Sequence, residues 1–277
     1  MTYEIMRGGT LDYEFYRHGR SRLRFRGPAK DGTAPYVAFV GGTETFGKFI
    51  PDPFPRLVEG LIQTDCVNLG LCNAGLDAHL SDPDVAELIA AARLRVFQII
   101  GAQNMSNRFY TVHRRRNDRF VSARTPLRLL YPEVDFADFH FTRHMLMHLH
   151  RTGPRRVAII RRELQGLWEE RMRSLLRAAE GPSVLFWFAR GAPPQRMDRP
   201  GCAMTADPMF VTRGMVDRVA RDATALTEVV ISGRAAAGDV AGMHCDEMDL
   251  PAAASMLGVR AHRAAAEALA QTIRPLM

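Results

Sequence analysis

Three stretches of the sequence carry side chains whose types and spacing could do chemistry. The first runs Val40-Gly41-Gly42-Thr43-Glu44-Thr45-Phe46-Gly47-Lys48. Gly42-x4-Gly47-Lys48 has the spacing of a phosphate-cradling loop, in which backbone N–H groups and a lysine ammonium hold anionic oxygens. Two features oppose that reading. Phe49 stands where a magnesium-binding hydroxyl belongs, and prolines at 51, 53 and 55 bar an immediate helix. The second stretch is residues 106–120, where Arg108, His113, Arg114, Arg115, Arg116 and Arg119 fall within 12 positions. Guanidinium groups pair in a fork with sulfate, phosphate or carboxylate. Arg108, His113, Arg116 and Arg119 are therefore the candidates for holding an anionic group, with Tyr110, Asn117 and Asp118 adding hydrogen-bonding capacity. A solvated charge run is the plainer alternative. The third is His140, His144 and His148, at i, i+4 and i+8. Two histidines four apart on a helix can share a metal, but Phe141 stands where the H-E-x-x-H pattern needs its glutamate. The expectation is a polar helix stripe and no metal.

The elements that must position these groups alternate along the chain. Tyr36–Val40, Cys66–Leu71, Leu94–Ile100, Val184–Phe188 and Glu228–Ile231 are short apolar runs that read as buried strands. Between them lie helix signals: a short helix over Phe54–Leu61, one from Ser81 with Pro83 in its first turn, and one over Ala137–Arg151. Leu164–Glu180, closed by Gly181-Pro182, Met215–Leu226 and Ala261–Ile273 complete the helices. Arg155–Ile160 fits either strand or helix, and residues 104–135 read as irregular. This order predicts a three-layer α/β/α fold with a mostly parallel, five-stranded, flavodoxin-like sheet, in one domain over residues 1–277. Residues 1–34 form a basic lead-in and residues 105–135 an Arg-rich insertion loop. Ligands gather at the carboxyl ends of such strands, which singles out residues 41–48, 68–77, 101–108, 190–196 and 232–246. Trp168, Trp187 and His262 read as core residues.

The strand-end blocks resemble those of the SGNH (GDSL) hydrolase superfamily. Gly41-Gly42-Thr43, with Gly47 following, stands for the first block, Gly-Asp-Ser, and puts Thr43 on the nucleophile position. Asn68-Leu69-Gly70, then Asn73 and Gly75, matches the second. Gly101-Ala102-Gln103-Asn104 matches the third, Gly-x-Asn, with one residue more. Asp239 and His244 stand for the last, Asp-x-x-His, five residues apart instead of three. The resemblance implies acyl transfer or ester hydrolysis. Thr43 would attack a carbonyl, His244 would take the proton, and Asp239 or Asp246 would orient the imidazole. Backbone N–H groups of Thr43 and of Gly70 or Gly75, with the Asn104 amide, would hold the oxyanion. Gly42, Lys48, Gly70, Asn73 and Gly75, with the arginine-loop residues, would line the substrate. The phrases FRGP, GGTETFGKF and NRFY-x-VH-x-RRNDRF are also similar to an uncharacterised bacterial family of unknown function.

Composition sets the outer bounds. At 277 residues and 47% apolar the chain can bury a real core, and disorder, collagen and coiled coil are excluded as whole-chain descriptions. The sequence has neither a run that could span a membrane nor an N-terminal apolar leader, and its four cysteines make no disulfide framework. A cytoplasmic protein, without a membrane partner, is expected. The net charge is +7, and 35 of the 37 basic residues are arginine, Lys30 and Lys48 being the lysines. Aromatics do not interleave with the basic runs, which speaks against nucleic acid. The leading expectation is an SGNH-like hydrolase or acyl transferase without a cofactor. Its substrate would be a small molecule or saccharide ester with an anionic group. The alternatives are a sulfuryl or phosphoryl transferase using residues 42–48, and a non-catalytic binding protein for an anionic saccharide.

Overall fold

The computed structural model describes residues 11–30, 32–178, 180–197, 202–232 and 238–277. Its strands are β1 (Tyr36–Gly41), β2 (Asp65–Gly70), β3 (Leu94–Gln98), β4 (Tyr110–Val112), β5 (Phe120–Ala123), β6 (Ser183–Ala189) and β7 (Ala225–Val230). Five of them form one parallel sheet in the order β2-β1-β3-β6-β7, while β4 and β5 make a separate antiparallel pair. The helices are α1 (Thr43–Phe46), α2 (Phe54–Ile62), α3 (Leu76–Leu80), α4 (Pro83–Ala91), α5 (Thr125–Leu130), α6 (Thr142–Thr152), α7 (Pro154–Arg177), α8 (Cys202–Thr205), α9 (Arg213–Ala220), α10 (Leu250–Ala254) and α11 (Val259–Ile273).

Strand residues alternate between two helical layers, as the two-residue period of a pleated sheet requires. Val37 and Phe39 of β1 join Val96, Phe186 and the α2 and α11 side chains on one face. Ala38 and Val40 join the opposite core, built with α4, α7 and α9. Burying a large apolar side chain such as Leu164 or Phe186 stabilises the fold by about 1.5–3 kcal/mol. His262 of α11 holds the first layer together: its Nδ1 accepts the Phe54 N–H at 3.1 Å, and its ring stacks on Phe54. Burial pushes its pKa down to about 3, so the ring stays neutral. The fold is thus the expected three-layer α/β/α arrangement, and its strand order is that of a flavodoxin-like sheet.

Two local expectations are corrected and one open reading is decided. Residues 104–135 are not wholly irregular, since they form β4, β5 and α5. Residues 137–151 are not one helix. Phe120 N–H donates to His140 C=O at 3.0 Å and Thr142 N–H to Asp118 C=O at 2.9 Å, so the backbone of 140–142 pairs with residues 118–120, at the entry to β5, and the helix starts at Thr142. Arg155–Ile160 is helical, the first turns of α7. Pro154 opens that helix, and Val157, Ile160, Leu164, Trp168, Met172 and Leu175 bury one face. Among the described residues no helix is long and apolar enough to cross a membrane.

Candidate active-site cleft and arginine groove

The sheet order reverses direction between β1 and β3, the place where open parallel sheets leave a crevice at their carboxyl ends. A cleft of about 880 Å³ opens there, lined among others by Thr43, Glu44, Asn73, Gln98, Arg143 and Asp207. Glycine at the ends of β1 and β2 lets the backbone close up beneath it. A Cβ on Gly41 would lie 2.1 Å from Thr45 Oγ1, and one on Gly70 would lie 2.2 Å from Phe46 N. No side chain fits either position.

Gln98, the last residue of β3, organises the floor. Its Oε1 accepts the N–H groups of Gly42 at 3.0 Å and Thr45 at 3.2 Å, and the Thr45 hydroxyl at 2.6 Å. Its Nε2 donates to Glu44 Oε2 at 2.9 Å. Two amides that a phosphate loop would offer to its ligand are therefore occupied. Lys48 does not line the cleft either, and its ammonium sits 4.5 Å over the Phe49 ring. The helix that should follow the loop starts only at Phe54, beyond the prolines.

Thr43 faces the cleft beside Asn73. The Asn73 N–H donates to Thr43 Oγ1 at 2.9 Å, and the Thr43 hydroxyl leans toward Asn73 Oδ1 at 3.4 Å. Asn73 adopts the left-handed conformation, φ 56°, which asparagine tolerates better than most residues. Asn104 braces that turn. Its Nδ2 donates to the Asn73 C=O at 3.0 Å, and its Oδ1 accepts the Thr142 hydroxyl at 2.6 Å. The Gly75 N–H donates to Asn117 Oδ1 and the Gly70 N–H to Asn68 Oδ1, both at 2.9 Å. Thr43, Asn73 and Asn104 therefore come together, whereas the expected oxyanion donors at 70, 75 and 104 have intramolecular partners.

His244 and Asp239 do not join them. Among the described residues no hydrogen bond links either to Thr43, and neither lines the cleft. His244 is tied by its backbone N–H to the Phe49 C=O at 2.9 Å, and Asp239 forms an ion pair with Arg260 at 2.9 Å. Asp246 begins the short 3-10 turn Glu247–Asp249. The cleft supplies other titratable groups. Desolvation, and after it the negative charge of Asp207, raises the Glu44 carboxyl above the usual carboxylate range, against the hydrogen bond from Gln98. Asp207 is raised as well, by desolvation, with the guanidinium groups of Arg143 and Arg190 pulling it back. Asp207 keeps contact with solvent at the cleft mouth, so its charge is the better screened of the two. Arg190 is held there by the C=O groups of Ala254 and Met256. Glu44 and Gln98 left one trace in the sequence, polar side chains at strand ends. Arg190 falls in the strand-end segment 190–196, whereas Asp207 and Arg143 left none.

The arginine loop divides. Arg108 pairs with Glu163 at 3.1 Å and lies over Phe109, away from the other candidates. His113 accepts the N–H groups of Arg115 and Arg116 through Nδ1 and shapes the turn after β4. Arg116 and Arg119 line a second depression, of about 790 Å³, whose floor includes Leu71 and Cys72. In the histidine row, His144 and His148 pack against Phe139, and His140 lies outside α6. Among the described residues no cluster of three His, Cys, Asp or Glu side chains could hold a metal.

A family model matches the whole chain, residues 1–277. The chain belongs to the domain of unknown function DUF6473. No curated protein matches it. Among solved structures it is similar to the crystal structure of the lipase Lip_vut3 from a goat rumen metagenome. That chain is 13% identical, with 86% of this chain and 96% of the lipase covered and a TM-score of 0.34.

Proposed function

We propose that this DUF6473 protein is an SGNH-like hydrolase or acyl transferase, acting on a small molecule or saccharide ester with an anionic group. The observation that carries the reading is the meeting, in one cleft, of a positioned hydroxyl and a carboxyl with a raised pKa. Thr43 Oγ1 attacks the carbonyl carbon, and its proton passes to the Glu44 carboxylate, which takes the role the resemblance gives to His244. The ester C–O bond breaks as the leaving alcohol takes that proton. Water or an acceptor hydroxyl then releases the acyl group from Thr43 by the same steps in reverse. Arg143 and Arg190 favour an anionic group on the substrate at the cleft mouth. Asn73 and Asn104 act as positioning residues for Thr43.

The test is a panel of nitrophenyl esters and acetylated saccharides, with Thr43→Ala, Glu44→Gln and His244→Gln variants. Both cleft variants are expected to lose ~10²-fold or more in kcat/KM, with His244→Gln within ~3-fold. Absence of ester cleavage by the wild type, or full activity in Thr43→Ala, overturns the reading. A large loss in His244→Gln returns the role of base to the histidine. One observation favours a second reading, a non-catalytic binding protein for an anionic saccharide: the Thr43 oxygen already accepts the Asn73 N–H. Activity that survives in no enzyme preparation, together with saccharide binding in the cleft, would select it.

A further inference from the structure

The second depression is lined by Leu71 and Cys72, just ahead of the cleft residue Asn73 in the chain, and two distant segments build its walls. Arg17, Arg22 and Arg24, from the extended chain ahead of β1, form one wall. Arg115, Arg116 and Arg119, from the turn between β4 and β5, form the other. All six are exposed, and among the described residues none forms an ion pair with a carboxylate. Among the described residues no acidic side chain lines the groove. Asp118 sits just outside it, where Asn73 Nδ2 donates to it at 3.4 Å and Arg116 and Arg119 bear on its charge.

The arginine side chains stand on a fixed frame. Tyr16 and Phe25 pair through their backbones at 3.0–3.1 Å, which holds the first wall in a loop. Behind it the buried Arg26 guanidinium donates to the C=O groups of Gly47 and Pro51, both at 2.6 Å. The second wall is set by the His113 and Asn117 hydrogen bonds that close its turn. Facing like charges with no counter-charge between them repel, so this arrangement costs stability unless an anion is present.

We infer that this groove binds a compact, multiply charged oxyanion: a molecule of about disaccharide size carrying several phosphate or sulfate groups. Guanidinium forks on two walls match tetrahedral oxyanions from both sides. A volume of about 790 Å³ leaves room for a ligand of that size. A single nucleic acid strand needs a row of stacking rings, and among the described residues the groove offers two exposed rings, the His113 imidazole and Phe15, the latter already covered by Arg24. The inference stands apart from the chemistry assigned to the cleft.

The test is calorimetric titration of the full chain with tripolyphosphate, sucrose octasulfate, inorganic phosphate and a ten-nucleotide thymidine strand, at two salt concentrations. Both multivalent probes are expected to bind at least ~10-fold tighter than inorganic phosphate, and more weakly as salt rises. The paired variants Arg22→Gln/Arg24→Gln and Arg115→Gln/Arg116→Gln should each lower that affinity ~10-fold or more without lowering the thermal midpoint. Thr43→Ala should bind as the wild type does, which reads the groove apart from the cleft. Preference between the two probes tells phosphate from sulfate. Equal binding of inorganic phosphate, unchanged affinity in both paired variants, or tighter binding of the thymidine strand overturns the inference.

Discussion

The cleft and the arginine groove meet the same loop, Asn73 lining the first and Cys72 the second, and they solve opposite electrostatic problems. In the cleft the polar groups around Thr43 are held by partners inside the protein. Gln98 alone satisfies three donors and one carboxylate, and the acidic Glu44 and Asp207 face the cationic Arg143 and Arg190. In the groove six cations of one sign line facing walls, and among the described residues none has an ion pair, though Arg24 and Arg119 lie over the rings of Phe15 and Phe141. The contrast separates preorganisation from recruitment. A site whose groups are fixed by internal hydrogen bonds is ready for a reacting substrate, whereas unpaired charges are held for a ligand that neutralises them.

The strongest way to break this contrast is to remove the hub of the cleft. Gln98→Leu leaves the Gly42 N–H, the Thr45 N–H and hydroxyl, and the Glu44 carboxylate without their shared partner. An unsatisfied buried polar group costs about 1–3 kcal/mol. Part of that is recovered by water in the cleft, so a loss of about 3–5 kcal/mol is expected in urea unfolding. That is a large fraction of the ~5–15 kcal/mol that holds a typical domain together. A loss below about 1 kcal/mol would show that the floor is not preorganised through Gln98.

The second test sharpens the electrostatics of the cleft. Folding raises the Glu44 pKa, through desolvation first and Asp207 second. The folded state therefore holds its proton to higher pH than the unfolded chain does. The favourable contribution is complete below the ordinary carboxylate pKa and disappears as pH rises through the folded value. Above that window the wild type carries a desolvated charge that Glu44→Gln lacks, while the glutamine can still accept from Gln98. The variant is expected to be more stable than the wild type at pH 8, with the advantage gone by pH 4, as read from thermal midpoints at both pH values. A pH-independent difference would remove Glu44 from consideration as the cleft's proton acceptor.

Much of the fold was legible and less of the two sites, for reasons that follow from range. Apolar runs such as Tyr36–Val40 and Val184–Phe188 report burial on both faces of a parallel sheet, so the strands and their layering could be read directly. Thr43, Asn73 and Asn104 could be placed together because they sit at successive strand ends. The break before α6 could not, because the helical spacing of Phe141, Met145 and Leu149 says nothing of residues 118–120, whose backbone takes residues 140–142. Gln98 looked like one polar residue in the apolar run LRVFQII, and its four hydrogen bonds depend on how β1 and β3 pair. The groove depends on a still longer range. Arg22 and Arg116 are far apart in sequence, and each run alone reads as a solvated charge patch.

The smallest expected effect tests the other side of the comparison. If the groove holds its arginines without internal compensation, neutralising one wall should not destabilise the fold and should relieve repulsion. Arg22→Gln/Arg24→Gln is expected to raise stability by no more than about 0.5 kcal/mol at low ionic strength, the usual ceiling for exposed substitutions. The gain should vanish in 1 M salt, where the screening length falls to about 3 Å. A salt-insensitive loss of stability would mean that these guanidinium groups pack as structure, through their aliphatic stems or over Phe15. The groove would then resemble the cleft in being internally satisfied. The sign of this small difference, more than its size, decides whether the two regions differ in kind.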